Sequence, residues 1–159
     1  MVRALVLYHS LFGNTKDVAL SLAKGIEESG VETECLGIDE VHIDQIPKYD
    51  FVAIGGPTHM VGLSKSMKIF LKKLKAVNLH GIKGFSFDTR NHSRLNKKRW
   101  FVLENSAARR IEGKMKKMKM TIIRPRHSAL VYGREGPLEV NVKTSFIEIG
   151  TDIGKILIS

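Results

Sequence analysis

Residues 4–15 read Ala-Leu-Val-Leu-Tyr-His-Ser-Leu-Phe-Gly-Asn-Thr. The unbroken aliphatic run at 4–7 describes a strand buried on both faces, as in a parallel sheet covered by helices. It passes directly into a small, polar, glycine-containing hexamer, "SLFGNT" at 10–15, and then into a helical pattern. A turn needs one or two such residues; six shape the backbone around something. Gly13 permits close backbone approach, and Ser10, Asn14 and Thr15 can donate hydrogen bonds. A helix starting near Asn14 would aim its free N–H groups and positive dipole end at the same point. The result is an anion cradle suited to a phosphate, although the hexamer alone also reads as an ordinary capped turn. No lysine lies in the loop, and "GxxxxGK[ST]" and "GxGxxG" are both absent, which speaks against nucleoside triphosphate and Rossmann-type dinucleotide binding.

Outward from this stretch, strands and helices alternate. Val18, Leu20, Leu22, Ala23 and Ile26 place a helix over 14–29, ended by Gly30. "VETECLGI" predicts a second strand, with Val31, Thr33 and Cys35 on one side, and residues 51–54 a third, closed by Gly55-Gly56. Ser64 is a candidate N-cap for a helix whose Met67, Phe70, Leu71 and Leu74 follow the i, i+3, i+4, i+7 pattern. "GFSFD" predicts a fourth strand. A third helix follows, capped by Asn105 or Ser106, with Ile111, Met115 and Met118 inward. A fifth strand is broken near Pro125, and a last helix runs from about Glu139, weakened by Gly150 and Gly154. With 159 residues, 43% hydrophobic, and no repeat or linker, residues 1–159 read as a single domain. The alternation predicts an α/β fold, a parallel sheet between two helical layers.

In such sheets a ligand lies beyond the carboxyl ends of the strands, where the winding reverses. The unusual polar and glycine residues should therefore follow strands one, three and four. They do: "SLFGNT", then "GGPTHM" at 55–60, then "DTRNH" at 88–92.

Together these strings resemble the flavodoxin family, from "VLYHSLFGNT" through "YDFVAIGGPTH" and "FDTR" to "GREGPL", most closely its small single-domain prokaryotic members. The resemblance implies a three-layer α/β/α fold with five parallel strands ordered 2-1-3-4-5 and flavin mononucleotide (FMN) at the switch point. It implies that Ser10, Leu11, Phe12, Gly13, Asn14 and Thr15 hold the ribityl phosphate. Pro57, Thr58, His59 and Met60 would line one side of the isoalloxazine ring; Asp88, Thr89, Arg90 and Asn91 would approach from the other, toward the pyrimidine edge. Phe12 stands where the family usually has Ser or Thr, and the customary aromatic stackers are missing, so looser FMN binding is expected. His9, Tyr8 and Tyr49 read as packing residues, Trp100 as buried under the 90–100 loop, and the histidines show no metal-ligand spacing.

The net charge of +10 is unevenly spread: residues 1–64 hold four basic and nine acidic residues, and residues 94–126 twelve basic and two acidic. A solvated lysine-rich face is one reading. Another places Arg90 and Arg94 near the ring, making the fully reduced flavin easier to form and steering an acidic redox partner. A third is polyanion binding by residues 94–126 without flavin; nucleic acid is disfavoured because the segment has one aromatic pair and no reader motif. The single cysteine, Cys35, cannot form an internal disulfide and reads as a packed side chain. No apolar run approaches the roughly 20 residues of a membrane span, and no signal-peptide layout is present, so a cytoplasmic protein is expected. The leading expectation is an FMN-binding electron carrier with no catalytic acid or base. The alternative is a small NAD(P)H-dependent FMN oxidoreductase, and a homodimer is left open.

Overall fold

The computed structural model describes residues 1–58, 62–91 and 106–159. Its strands are β1 (Arg3–Tyr8), β2 (Glu32–Gly37), β3 (Phe51–Pro57), β4 (Lys83–Asn91), β5 (Thr121–Ile122) and β6 (His127–Val131); its α-helices are α1 (Asn14–Glu28), α2 (Lys65–Lys73), α3 (Ala107–Lys117) and α4 (Val142–Ile158). All strand pairs are parallel, ordered β2-β1-β3-β4, with β5 and β6 both on the outer side of β4. β5 and β6 are two pieces of one fifth strand. They part at Arg124-Pro125-Arg126, where proline lacks the N–H a ladder needs. The expected order 2-1-3-4-5 is the observed one.

β1 divides the core. Ala4 and Val6 face α1 and α4, packing with Val18, Leu22, Phe146 and Ile153. Leu5 and Leu7 face the opposite layer, with Met67, Phe70, Leu74, Ile111 and Met115 of the α2 and α3 side. The helical patterns behave as their spacing predicts, except that Leu20 of α1 is 46% exposed. Ser64 accepts from the Met67 N–H and Ser106 from the Arg109 N–H, closing the first turns of α2 and α3.

The final helix begins at Val142, three residues beyond the expected start, and its two glycines are what seat it. A Cβ on Gly150 would lie 2.2 Å from the Leu22 carbonyl oxygen, and one on Gly25 would lie 2.0 Å from that of Ile147. Bare backbone on both sides lets α1 and α4 touch. Ser29, at the end of α1, then donates to the Thr151 carbonyl at 3.3 Å and the Gly25 carbonyl at 3.1 Å.

Two strands run further than their sequence suggests. β3 continues through Gly55-Gly56 to Pro57, because the Phe87 ring fills the space over Gly55. β4 continues to Asn91, so Asp88-Thr89-Arg90-Asn91 belongs to a strand and not to the loop after it. Alternation turns Phe85, Phe87 and Thr89 toward α1, and Ser86 and Asp88 toward α3, where Ser86 donates to the Ala108 carbonyl at 2.9 Å.

Candidate functional site: an anion cradle at the switch point

The chain winds from β1 to β2 on one side and on to β3 at the other, so the carboxyl ends of β1 and β3 flank a crevice. A cavity of about 400 Å³ opens there, within the size range of small-molecule sites. Ser10, Leu11, Phe12, Asn14 and Thr15 supply one wall; Pro57 and Thr58 lie across it, with Thr89, Arg90 and Asn91 behind. Ten of the fourteen expected site residues thus converge. Gly13 and Asp88 do not line the cavity, and His59 and Met60 lie outside the described residues, as do Arg94, Trp100 and Asn105.

Gly13 shapes the cradle from behind. Its φ of +93° is a left-handed conformation that costs a side-chain-bearing residue about 1 kcal/mol or more. Its N–H donates to Ser10 Oγ at 3.0 Å, folding the loop on itself. Among the described residues no side chain caps α1, so the positive end of a fifteen-residue helix faces the cavity. Asn14 packs against Gly136 in the loop after β6, which brings that loop over the cradle.

The polar tail of β4 is buried because its partners come from three other segments. Thr89 Oγ1 and Thr15 Oγ1 share a hydrogen bond at 2.8 Å, joining β4 to α1. Thr58 donates to Asp88 Oδ2 at 2.7 Å and accepts from the Ala107 N–H at 3.0 Å, while the Ala108 N–H reaches Asp88 Oδ2 at 3.2 Å. Asp88, fully buried, is thus an anionic anchor for the start of α3 and for the loop after β3. It holds the wall in place from behind.

Arg90 is 7% exposed and lines the cavity. Its Nε and Nη2 both reach Ser128 Oγ on β6, and Nε lies 3.8 Å from Asp88 Oδ1. Among the described residues, two buried atoms, Asp88 Oδ1 and Arg90 Nη1, lack a hydrogen-bond partner. Buried polar atoms are nearly always paired, so an orphaned guanidinium donor beside a cavity fits an acceptor brought by a ligand.

Sequence reasoning missed Val131, Gly133 and Arg134, which complete the lining. β6 ends at the same edge as the other parallel strands, so the segment after it was as eligible as the other three. The Arg134 guanidinium lies 5.7 Å from the centre of the half-exposed Phe12 ring, within cation–π range, and places a positive charge at the cradle's mouth.

Sheet order and switch-point crevice define a doubly wound α/β protein, with a cavity and an uncapped helix terminus at the strand ends. A model of the flavodoxin family matches residues 6–146, and the chain belongs to that family. It is 30% identical over 94 residues to the probable flavodoxin 1 of Bacillus subtilis (strain 168), a stretch covering 58% of this chain and 60% of that protein. The chain therefore spans less than two thirds of that relative's length. Among solved structures, a flavodoxin from the domain Archaea superposes with a TM-score of 0.80 at 24% identity, covering 99% of this chain and 100% of the other. The oxidised flavodoxin 1 of Bacillus cereus gives 0.78 at 18% identity, covering 96% and 97%. At these identities the superpositions speak for the fold.

Flavodoxins bind FMN, and the residues present fit it. The phosphate would take the α1 terminus with Ser10, Asn14 and Thr15; Pro57, Thr58 and the β4 tail would hold the ring. Among the described residues, the buried Arg90 Nη1 is a donor whose lack of a partner an acceptor on such a ring would relieve.

Among the described residues no helix is long and apolar enough to cross a membrane.

Proposed function

We propose that residues 1–159 act as one flavodoxin-type domain that carries electrons on FMN between partner proteins. When bound, FMN supplies the one- and two-electron redox chemistry, and the chain supplies position and electrostatics. The observation that carries this reading is the cavity itself, with an uncapped helix end at one side and an unpaired, buried guanidinium donor at the other. All of the expected site residues, Gly13, His59, Met60 and Asp88 included, remain part of the proposal: Gly13 and Asp88 support the walls, and His59 and Met60 continue the segment after Thr58.

Arg90 and Arg134 both line the cavity, and among the described residues no carboxylate does. Positive charge near the ring stabilises the fully reduced, negatively charged flavin, so its couple should be less negative than in an acidic flavodoxin. A redox partner of acidic surface suits the net charge of +10, with an association rate that falls as salt rises. A reducing cytoplasm suits the lone Cys35.

Adding FMN to the purified protein tests the reading. Quenched flavin fluorescence and a shifted visible spectrum are expected; a flat titration in excess FMN overturns it. Titrating the bound flavin against a reference dye then reads the potential, and a value as low as an acidic flavodoxin's refutes the charge argument. Slow reduction by NADPH in stopped flow is the mark of a carrier, whereas fast reduction would make the protein an NADPH-dependent oxidoreductase.

A further inference from the structure

Outside the proposed cofactor cavity, a furrow lies between α2 and α3. Two adjoining hollows of about 320 and 350 Å³ share Leu71, Lys75 and Lys114 and together run the length of both helices. The floor is aliphatic: Leu63, Leu71, Val77, Leu79 and Met118. One wall carries Lys68, Lys72 and Lys75, and the other Arg110, Lys114 and Lys117. Each set is spaced i, i+4, i+7, so two cationic stripes face one another across an apolar seam. From residue 65 to residue 111 the sequence holds only two acidic residues, Asp88 and Glu104. Asp88 is buried under α3. Glu112 turns away from the furrow, pairing with Arg126 at 3.0 Å and Lys116 at 3.4 Å. Among the described residues, the five lysines of the two walls form no ion pair within the chain.

We infer that this furrow receives an acidic amphipathic helix of a partner protein. Its leucine- or methionine-type side chains, at i, i+3 or i+4 and i+7, would seat on the Leu71–Leu79–Met118 floor, with Glu or Asp on both flanks facing the lysines. The floor selects this occupant. A nucleic acid would use the same lysines through its phosphates, but among the described residues no aromatic side chain lines either hollow to stack a base, and an aliphatic floor gives nothing to a sugar-phosphate backbone. A purely electrostatic patch would need no floor.

The furrow adjoins the cofactor site without sharing its lining. α3 begins where the Ala107 N–H bonds Thr58 Oγ1 in the cavity wall, and Leu63 shortly precedes α2. A helix lying along the furrow would therefore bring its parent protein to the edge where electrons leave. The inference rests on the furrow alone, so its failure and failure of the FMN reading are separate results.

The test is fluorescence anisotropy with the whole chain and three labelled probes. One is a synthetic helical peptide with leucine along one face and glutamate on both flanks. The second is the same peptide with serine for every leucine, and the third is a single-stranded oligodeoxythymidine. The leucine–glutamate peptide should bind most tightly and weaken as salt rises. Lys72→Glu with Lys114→Glu should weaken it about tenfold or more, whereas Lys24→Glu with Lys155→Glu, exposed positions on α1 and α4, should leave it unchanged. Equal binding of the serine peptide, tighter binding of the oligonucleotide, or indifference to the Lys72/Lys114 reversal would each overturn the proposal.

Discussion

Replacing Gly25 by alanine should destabilise this protein, although alanine is the better helix former at that position. The intrinsic preference favours alanine by about 1 kcal/mol. Against it stands the contact between α1 and α4. The new methyl carbon would lie 2.0 Å from the Ile147 carbonyl oxygen and 2.8 Å from the Thr151 amide nitrogen. Ordinary carbon–oxygen contacts fall at about 3.3–3.6 Å, so the helices must part by more than 1 Å. Both clashing atoms are backbone and cannot rotate aside. Overpacking in cores costs typically 1–3 kcal/mol, and with no side chain to yield the upper end applies, leaving a net loss of about 2 kcal/mol. For a chain of 159 residues that lowers Tm by roughly 4–8 °C. Gly113→Ala in α3 is the internal control: nothing lies within 4 Å of its added carbon, so the propensity term acts alone and Tm should rise by about 1–4 °C. Thermal melts followed by circular dichroism read both. If Gly25→Ala melts at or above the parent while Gly113→Ala behaves as expected, the close-contact account of α1 and α4 is wrong. Because α1 also opens the proposed phosphate cradle, its displacement should weaken FMN binding in the same variant.

Other expectations follow from single side chains. Burial, with Glu40 adding to it and Lys16 opposing, pushes the Cys35 thiol up to about 12, so a thiol reagent at pH 8 should label the native protein far more slowly than the unfolded one; equal rates would contradict this. His127, exposed at the start of β6 with its ring edge-on to Phe146 at 5.5 Å, is held below its ordinary value of 6.5 by partial desolvation first, then by Arg124, with Arg90 adding and Asp88 opposing. The unfolded chain therefore takes up that proton first. Stability should be full above about pH 7, fall as pH drops through 6.5, and level off below the folded value, and His127→Gln should flatten this slope in denaturant titrations. Arg134→Gln should weaken FMN binding about tenfold and make it less sensitive to salt in fluorescence titration, by loss of one charge-assisted contact at the mouth of the cradle; unchanged affinity would place Arg134 outside the site.

Local signals carried much of the fold. The aliphatic run of β1, the i, i+3, i+4, i+7 stripes of α2 and α3, the serine caps and the break at Pro125 all depend on residues a few positions apart, and each is visible in the chain itself. What was hidden depends on distant pairs. Asp88-Thr89-Arg90 reads as a polar loop because its partners, Thr58, Thr15 and Ser128, lie 30, 74 and 38 residues away. Only the folded sheet turns these side chains from solvent-seeking into mutually satisfied, and only then does Asp88 emerge as a wall support and not a lining residue. Gly150 and Gly154 argued against a final helix on intrinsic preference, which counts nothing for the helix they let in. Arg134, between Gly133 and Gly136, carries no local signal of a site; the sheet places it there by bringing the end of β6 to the common edge.

The interruption at Pro125 also bears on how the molecule behaves in a crowd. An uninterrupted outer strand would offer a neighbour a full row of unpaired amide and carbonyl groups, the usual invitation to stack border to border. Here that border is two residues, then a proline flanked by Arg124 and Arg126, then five more residues partly covered by the Val131–Leu138 bridge. On this side of the sheet a neighbouring copy therefore meets a short, kinked margin in place of a full row of free backbone groups.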